Sequence, residues 1–458
     1  MSTERADVVV VGAGVTGLVA AREAARAGAR VVVVDPGPPG GKLRTTPFDG
    51  GTLDEAADAF LARVPEGVAL CRELGLEGTL VSPAARRAHV WSGGALRLLP
   101  QGQVLGVPTD LDELAISGLV SPEGIARAER DLVEPMLAPV GDTTIGAIIR
   151  DRLGDEVAER LVDPLVGGIN AGATDQLSLA ATVPQIDAAV RSGSASLIEA
   201  CRAQRAAVTD PEAPVFFAPS GGMGALADAL VADLRERGVM VTEASASGLE
   251  RSGEGWRIVH DVGLVEADGV VLTTDAGSAA RLVRPQAARA ATLLAAIPYA
   301  SVALVALAVE RAAIDRELDG SGFLVPRVEG RTVTACSWTT AKWPHLHGDG
   351  TVWLRASVGR DGDVAALDLD DNALVAAVVA DLADTMALRG PVRAARVTRW
   401  PGSFPQYRPG HLDCVDAIDT DLATAMPGVV VAGSALRGLG VPACIRQGRA
   451  AALLLTTR

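Results

Sequence analysis

A valine run that leads into a glycine pattern constrains this chain more than any other feature. Val8–Val11 is followed by Gly12-Ala13-Gly14-Val15-Thr16-Gly17, then by apolar residues at helical spacing as far as Gly28. A second valine run over 31–34 ends at Asp35. A buried strand, a glycine turn, a helix and a second strand within about 30 residues predict a βαβ unit that binds a dinucleotide.

Each glycine of this pattern has its own expected role. Gly12 permits a tight turn, Gly14 lets the backbone approach a pyrophosphate, and Gly17 allows the helix to pack closely on the strand. The pyrophosphate is expected at the N-terminus of the helix, near Val15 and Thr16, because the unpaired N–H groups there favour negative charge.

Asp35 narrows the choice of dinucleotide. A carboxylate at the end of the second strand is expected to accept hydrogen bonds from the adenosine ribose hydroxyls, and its charge disfavours the 2′-phosphate of NADP. FAD and NAD share the remaining pattern, so other segments must distinguish them.

Two further glycine-rich segments favour FAD. Gly40-Gly41-Lys42 continues the same domain and offers backbone N–H groups and a cation to a phosphate. Near the C-terminus, Gly433 to Gly440 precedes Val441-Pro442 at the expected start of a helix. That helix N-terminus would stabilise negative charge on the ring system of a reduced flavin. The predicted cofactor-binding residues are Gly12, Gly14, Val15, Thr16, Gly17, Asp35, Gly40, Gly41, Lys42, Gly433, Gly440, Val441 and Pro442.

The composition excludes several classes of protein. With 48% hydrophobic and 21% charged residues, a chain of 458 residues is expected to fold into two or three domains. A net charge of −14 argues against binding to nucleic acid or anionic lipid, so at most peripheral membrane contact is expected. Five scattered cysteines support neither a zinc site nor a disulfide framework, and no signal peptide or membrane anchor is predicted. A cytoplasmic location and no bound metal are therefore expected.

The pattern along the chain predicts an α/β fold whose nucleotide domain is interrupted. A Rossmann-like FAD-binding domain, similar to that of glutathione reductase, is predicted from 1–82, 214–290 and 415–458. A mixed-sheet substrate domain is predicted from 83–104 and 291–414, and a helical insertion from 105–213. Residues 54–76 are also predicted to be mainly helical.

The chain resembles the flavin-dependent protoporphyrinogen and coproporphyrinogen oxidases of haem synthesis, of the Gram-positive and actinobacterial type, within the amine-oxidase and phytoene-desaturase group. The resemblance extends over essentially the whole chain. Its most specific elements are Leu165-Val166-Gly167-Gly168-Ile169 with Ala171-Gly172, and Pro405-Gln406-Tyr407 with Gly410-His411. Three departures from the family pattern are Asn170, Val64 and the stretch Asp54–Asp58.

The resemblance implies a six-electron oxidation of a porphyrinogen to the porphyrin, in three two-electron steps, with oxygen as acceptor and hydrogen peroxide as product. It implies non-covalent FAD whose N5 atom carries the chemistry, so no catalytic side chain is assigned. Coproporphyrinogen III is favoured because the chain has no predicted anchor and this substrate is the more polar one. Protoporphyrinogen IX stays an alternative, and a transient contact with the next enzyme of the haem pathway is left open.

Three arginines are candidate partners of the substrate propionates. Arg44, Arg63 and Arg97 follow segments that the family places near its substrate cavity. Nearly all of the 42 basic residues are arginine, so a solvated surface position is the alternative for each of them.

Four other residues have two interpretations each. Asn170 either hydrogen-bonds the substrate or stabilises a turn, and Tyr407 either lines the cavity or packs in the core. His411 either carries protons or hydrogen-bonds the backbone. Cys444 suggests a covalent flavin, although a small buried side chain is the simpler interpretation.

Two rival functions remain at this point. One is another flavin oxidase or desaturase of the same fold that acts on amines or polyenes. The other is a non-catalytic FAD-binding relative, which the departures at Asn170, Val64 and 54–58 suggest.

Overall fold

The computed structural model describes residues 3–208, 210, 213–346 and 350–457. Its contacts divide the chain into two compact units. The first unit combines Met1–Ser82, Pro214–Pro298 and Leu412–Arg458, and the second combines Pro83–Ala213 and Tyr299–His411. The separation of the helical insertion 105–213 from a substrate domain stays a prediction, since both belong to the second unit.

A seven-stranded sheet forms the centre of the first unit. Its strands follow the order Met240–Glu243, Val31–Asp35, Thr3–Val11, Gly263–Leu272, Gly255–His260 and Ala246–Ser252, with Val429–Val431 also paired to Gly263–Leu272. The valine-rich strands pair in parallel, whereas the last three strands of this order form an antiparallel meander. Two smaller sheets consist of Thr45–Phe48 with Gly51–Asp54, and of Phe60–Leu61, Phe216–Pro219 and Leu80–Val81.

Two helices of the first unit begin at predicted nucleotide residues, Val15–Arg26 and Val441–Thr456. The helices of this unit are Val15–Arg26, Pro65–Glu73, the 3₁₀ turn Glu77–Thr79, Gly224–Glu236, Ala276–Val283, Ala288–Ala295, His411–Ala425 from Leu412 onward, and Val441–Thr456. Helix Val15–Arg26 buries Leu18 to Ala21, because its small and aliphatic residues face the sheet. It ends before Gly28, whose φ of 92° suits glycine.

A second seven-stranded sheet lies in the second unit. Its strands follow the order Val392–Pro405, Tyr299–Glu310, Thr351–Val358, Val333–Trp338, Gly322–Leu324, His89–Ser92 and Ala95–Leu98. All neighbours are antiparallel except Gly322–Leu324 with His89–Ser92. Helix Asp371–Met386 packs Leu374, Val378 and Leu382 into the same core as this sheet. The short pair Gln103–Val104 and Val107–Pro108 is separate.

The rest of the second unit is mainly helical, as the sequence predicts for 105–205. Its helices are Leu111–Ser117, Pro122–Glu129, Ile145–Leu153, Asp155–Val157, Gly168–Asn170, Leu179–Thr182, Pro184–Val190, Leu197–Ala206 and Thr339–Lys342. Short 3₁₀ turns cover Arg130–Leu132, Arg311–Ala313, Arg327–Glu329, Pro344–Leu346 and Ala365–Asp368. Wide π-helical turns run over Ala158–Gly167. Within the described ranges, we find no helix that combines the length and the apolarity needed to cross a bilayer.

The prediction that 54–76 is mainly helical is wrong in its first half. Gly51–Asp54 and Phe60–Leu61 are strands, and the helix is confined to Pro65–Glu73. Phe60–Leu61 pairs with Phe216–Phe217, a segment more than 150 residues away along the chain, which no local periodicity reveals.

Candidate functional site

Two glycines of the dinucleotide loop, Gly12–Gly17, are required by packing inside the first unit. A Cβ atom at Gly17 would lie 1.9 Å from the carbonyl oxygen of Gly12, and one at Gly12 would lie 2.6 Å from Oγ1 of Thr273. The Thr273 hydroxyl donates a hydrogen bond to the Gly12 carbonyl at 2.9 Å. The loop therefore lies directly against the end of strand Gly263–Leu272.

Gly14 differs from these two glycines because it faces open space. A Cβ at this position would meet no atom within 4 Å. Gly14 is also the N-cap of helix Val15–Arg26, and no side chain caps that helix end. The backbone N–H groups of Val15 and Thr16 therefore lie beside a space that no side chain fills, and a bound pyrophosphate requires such a space.

Asp35 is hydrogen-bonded to the loop that precedes the helix. One carboxylate oxygen accepts from the N–H of Ala13 at 2.6 Å, and the other accepts from the N–H of Gly37 at 2.8 Å. Each oxygen still has acceptor capacity for a ribose hydroxyl. Asp35 therefore fixes the loop in addition to its predicted role.

The paired glycines Gly40 and Gly41 lie beside the same loop. The Gly40 N–H donates to the carbonyl of Ala13 at 2.8 Å, and a Cβ on Gly41 would lie 3.3 Å from the Cα of Gly14. Both glycines have positive φ, at 112° and 57°. Lys42 follows them and is half-buried, and its burial lowers the pKa of the ammonium group.

The C-terminal glycine segment approaches the dinucleotide loop through helix Val441–Thr456. Gly440 is the N-cap of this helix, and Val441 and Pro442 are buried in its first turn. A Cβ at Gly448 would lie 2.5 Å from the carbonyl oxygen of Thr16, so glycine permits close packing of the two helices.

Gln447 holds the segment before this helix. Its amide oxygen accepts from the N–H of Gly433 at 3.3 Å, and its amide nitrogen donates to the carbonyl of Gly438 at 3.3 Å. Gly433 has a φ of 134°, a conformation that favours glycine. The sequence offered no motif for Gln447 or for Gly448, and the role of Gly448 depends on a helix more than 400 residues away along the chain.

Cys444 lies in the same helix and is almost fully buried. Its thiol is 3.7 Å from the carbonyl oxygen of Leu439, and its burial raises the pKa of the thiol. This environment matches the interpretation of Cys444 as a small buried side chain.

All thirteen predicted cofactor residues thus lie in the first unit, on segments that converge at the start of helix Val15–Arg26. The open surface at Gly14, the uncapped helix end and the carboxylate of Asp35 fit a dinucleotide cofactor with a pyrophosphate and a ribose. The described residues contain no group of three or more His, Cys, Asp or Glu side chains arranged to hold a metal ion.

Two of the candidate arginines lie in the first unit and differ in their partners. Arg44 forms an ion pair with Glu55, whose side chain is 10% exposed. Arg63 is exposed before helix Pro65–Glu73, and within the described ranges no carboxylate pairs with it. Of these two, Arg63 is the cation that is available to an anionic ligand.

The departure at 54–58 has a structural role. Asp54 accepts hydrogen bonds from the hydroxyl of Thr45 at 2.5 Å and from the N–H of Met223 at 2.9 Å. Glu55 pairs with Arg44 as described above. Asp54 thus joins the hairpin 45–54 to the start of helix Gly224–Glu236, whereas Glu55 pairs with residues at the base of the hairpin.

Arg97 lies in the second unit and is half-buried on an edge strand. Its Nε donates to the carbonyl of Ser92 at 3.2 Å. Its guanidinium also lies against Gly118, where a Cβ would be 2.6 Å from Nη1. Arg97 is thus held by backbone, with no carboxylate partner in the portion of the chain that is described.

Asn170 is buried at the end of the π-helical segment. Its amide nitrogen donates to the carbonyl of Val166 at 2.8 Å. Since this bond stabilises the local chain, it matches the turn-stabilising interpretation. A hydrogen bond from the substrate to the amide oxygen stays a prediction.

Tyr407 and His411 stack on each other in the second unit. Their ring centroids are 4.2 Å apart with an interplanar angle of 24°, and both side chains are buried. The N–H of Ser178 donates to the carbonyl of Tyr407 at 2.7 Å. The segment 405–411 is therefore fixed both by its aromatic pair and by backbone hydrogen bonds.

Asp142 also fixes this segment. Its Oδ2 atom accepts from the hydroxyl of Ser178 at 2.7 Å and from the N–H of Gly410 at 2.9 Å. The sequence gave no reason to single out Asp142, because its partners lie 36 and 268 residues away.

The comparisons with known proteins agree with this geometry. The family model described as flavin containing amine oxidoreductase matches residues 15–455. The chain is 34% identical to the coproporphyrinogen III oxidase of Bacillus subtilis (strain 168), over 98% of each chain. It is 38% identical to the coproporphyrinogen III oxidase of Mycobacterium leprae (strain TN), over 95% of each chain.

A solved structure shows the same fold over the full length. The crystal structure of "Putative protoporphyrinogen oxidase" from Exiguobacterium sp. 255-15 superimposes with a TM-score of 0.89 at 30% identity, covering 100% of this chain and 99% of that one. The predicted fold class is thereby confirmed. With a family model matched across nearly its whole length, the chain belongs to the flavin-containing amine oxidoreductases.

Proposed function

We propose that this oxidoreductase binds FAD non-covalently and oxidises coproporphyrinogen III to coproporphyrin III, with oxygen as acceptor and hydrogen peroxide as product. The observation that carries the proposal is identity of 34–38% over at least 95% of the chain to two proteins named coproporphyrinogen III oxidase. The dinucleotide loop supports a dinucleotide cofactor, because Gly14 and Asp35 fit a pyrophosphate and a ribose, and the match to a flavin-containing family supports FAD as that dinucleotide.

The proposed oxidation does not require a set of acid and base side chains. A bound flavin would accept two electrons from the porphyrinogen in each of three steps, and the aromatic product is strongly favoured. The residues of this chain then bind the cofactor, orient the macrocycle and exclude water. The buried Cys444 thiol, with its raised pKa, supports a cofactor held without a covalent bond.

Propionate recognition is assigned to arginines that have no carboxylate partner. Arg63 and Arg97 meet this condition in the described ranges, whereas Arg44 is paired with Glu55. Tyr407, His411 and Asn170 are also proposed to contribute to substrate binding. The proposed location of the enzyme is the cytoplasm, with at most peripheral membrane contact.

The test is a fluorescence assay with chemically reduced coproporphyrinogen III and protoporphyrinogen IX in air, since only the porphyrin products fluoresce. We expect a higher kcat/KM for coproporphyrinogen. Raising the salt concentration should increase the KM for coproporphyrinogen more, because it carries four propionates against two and exposed charge pairs are screened over about 10 Å at 0.1 M. An enzyme that oxidised neither porphyrinogen would refute the proposal.

Protoporphyrinogen IX oxidation is the second candidate, and the name given to the Exiguobacterium structure favours it. A higher kcat/KM for protoporphyrinogen, with equal salt sensitivity for both substrates, would select this function. Substrate selectivity would then arise from shape and apolar packing, and not from ion pairs with the arginines.

A further inference from the structure

A short turn in the second unit, residues 168–172, has an unusual setting. It directly follows the π-helical turns Ala158–Gly167, which contain Pro164. π-Helical turns are rare and occur frequently at functional sites. Within the turn, Ile169 is a large apolar residue that is 55% exposed, next to the buried Asn170.

Ala171 has a left-handed backbone with a φ of 48°. Most positive-φ positions of this chain are glycine, for which this conformation carries no steric cost. For alanine, the left-handed conformation is disfavoured roughly tenfold, since the Cβ atom approaches the following carbonyl. The turn therefore needs outside contacts to stay in this conformation.

Three consecutive carbonyl groups of the turn supply these contacts. The Asn170 carbonyl accepts from Nε2 of Gln406 at 2.9 Å, and the Ala171 carbonyl accepts from the N–H of Asp361 at 2.7 Å. The Gly172 carbonyl accepts from Nη2 of Arg327 at 3.2 Å. Ala171 is thus held by hydrogen bonds to its own carbonyl and to the carbonyls of both neighbouring residues.

Gln406 is the fully buried member of this group. Its side chain is 0% exposed, and its second amide N–H bonds the carbonyl of Phe404 at 3.0 Å. Its amide oxygen has no hydrogen-bond partner among the described residues. A Cβ at Gly172 would lie 2.5 Å from this oxygen, so the turn fits closely around the amide. Gln406 is therefore used as a donor to two backbone carbonyls.

We infer that Gln406 is a positioning residue that holds Ala171 in its left-handed conformation and so presents Ile169 and Asn170 to the porphyrinogen. This inference rests on the proposed function for the identity of the substrate. Without the hydrogen bond from Gln406, the turn leaves this conformation for most of the time. The apparent dissociation constant then rises in proportion to the lost population, whereas turnover at saturation is kept because substrate selects the competent turn.

The test is a double-mutant cycle between Gln406 and Ala171. Gln406→Met removes both amide donors at similar length. We expect it to raise the KM for coproporphyrinogen about tenfold, because the left-handed conformation of alanine is disfavoured by about that factor. The kcat should change less than about twofold. In the Ala171→Gly background, the same substitution should raise KM less than about twofold, because glycine keeps the left-handed turn unaided.

A substrate-independent readout is amide hydrogen exchange in the turn. The N–H of Gly172 bonds the Gly167 carbonyl at 3.0 Å, and the N–H of Asp361 bonds the Ala171 carbonyl. Gln406→Met should accelerate exchange at both amides, and Ala171→Gly should restore most of the protection. If wild type oxidised no porphyrinogen, the proposed function would fail while this measurement still decided the role of Gln406.

Two controls make the result unambiguous. Thr385→Val removes a buried hydroxyl that donates to the Asp381 carbonyl at 2.7 Å, so it measures the general cost of losing such a bond. Gln406→Leu also removes both donor groups with an apolar side chain that can stay buried, and it replaces the methionine variant if that variant does not fold. Equal effects of the Gln406 substitutions in both backgrounds, on KM and on exchange, would overturn the inference.

Discussion

The dinucleotide loop of the first unit and the 168–172 turn of the second unit bend the chain sharply in different ways. The loop relies on glycines: Gly12 and Gly17 leave room for protein atoms, and Gly14 leaves open space. The turn instead keeps an alanine in a left-handed conformation through partners from distant segments, Gln406, Asp361 and Arg327. A local sequence pattern can encode the first arrangement, whereas the second depends on the folded chain.

The largest effect is expected for Gly17→Ala. Its Cβ would lie 1.9 Å from the backbone of Gly12, so strand and helix must separate and the free energy of unfolding should fall by at least about 4 kcal/mol. Gly14→Ala is the matched control, because a Cβ there meets no atom within 4 Å. Urea unfolding followed by circular dichroism compares the two. Equal losses in both variants would mean that the two glycines do not differ as described.

Asp142→Ala tests the distant contacts that hold the segment 405–411. It leaves the Ser178 hydroxyl and the Gly410 N–H without their shared acceptor. Unpaired buried donors cost about 1–3 kcal/mol each, so we expect a loss of about 2–4 kcal/mol in the same unfolding experiment. Asp151→Ala, on the surface of the same unit, should change stability by less than about 0.5 kcal/mol. A stable Asp142→Ala variant would show that the segment is held without this carboxylate.

Asp35→Asn probes the loop at the level of cofactor affinity. The amide keeps one acceptor oxygen but loses the charge, so it cannot satisfy the Ala13 and Gly37 N–H groups and the ribose as well. We expect FAD affinity to fall by about 1–3 kcal/mol, measured by fluorescence of released flavin on dilution. Unchanged retention of FAD would contradict the ribose assignment.

The smallest effect is expected for the exposed arginine. Arg63→Ala should raise the KM for coproporphyrinogen about two- to fivefold with little change in kcat, because an exposed ion pair is worth at most about 1 kcal/mol. Arg44→Ala should change KM less, since Arg44 already pairs with Glu55. Steady-state kinetics at low and high salt would show which of the two substitutions raises KM more. A larger effect at Arg44 would reverse the assignment.

The comparison also explains what the sequence could and could not predict. The βαβ unit, the three glycine segments and the helical character of most of 105–205 follow local patterns, and the structure contains them. Strand Phe60–Leu61 was missed because its partner is Phe216–Phe217. Gln406 appeared only as part of a family motif, and Asp142 and Asp361 in none, because their roles arise from hydrogen bonds across hundreds of residues. The site residues themselves stay predictions until variants are measured.

The most direct test uses Gly14, the position in the dinucleotide loop where a Cβ atom would meet no protein atom within 4 Å. Gly14→Val should fold like wild type, because its Cβ atom would have no protein atom within 4 Å, but it should bind no FAD, since that space is assigned to the pyrophosphate. Purified wild type and variant would each be mixed with coproporphyrinogen III in air and followed by porphyrin fluorescence. We expect rapid porphyrin formation with wild type and only the non-enzymatic rate with the folded variant. Equal rates from the two proteins would contradict this expectation.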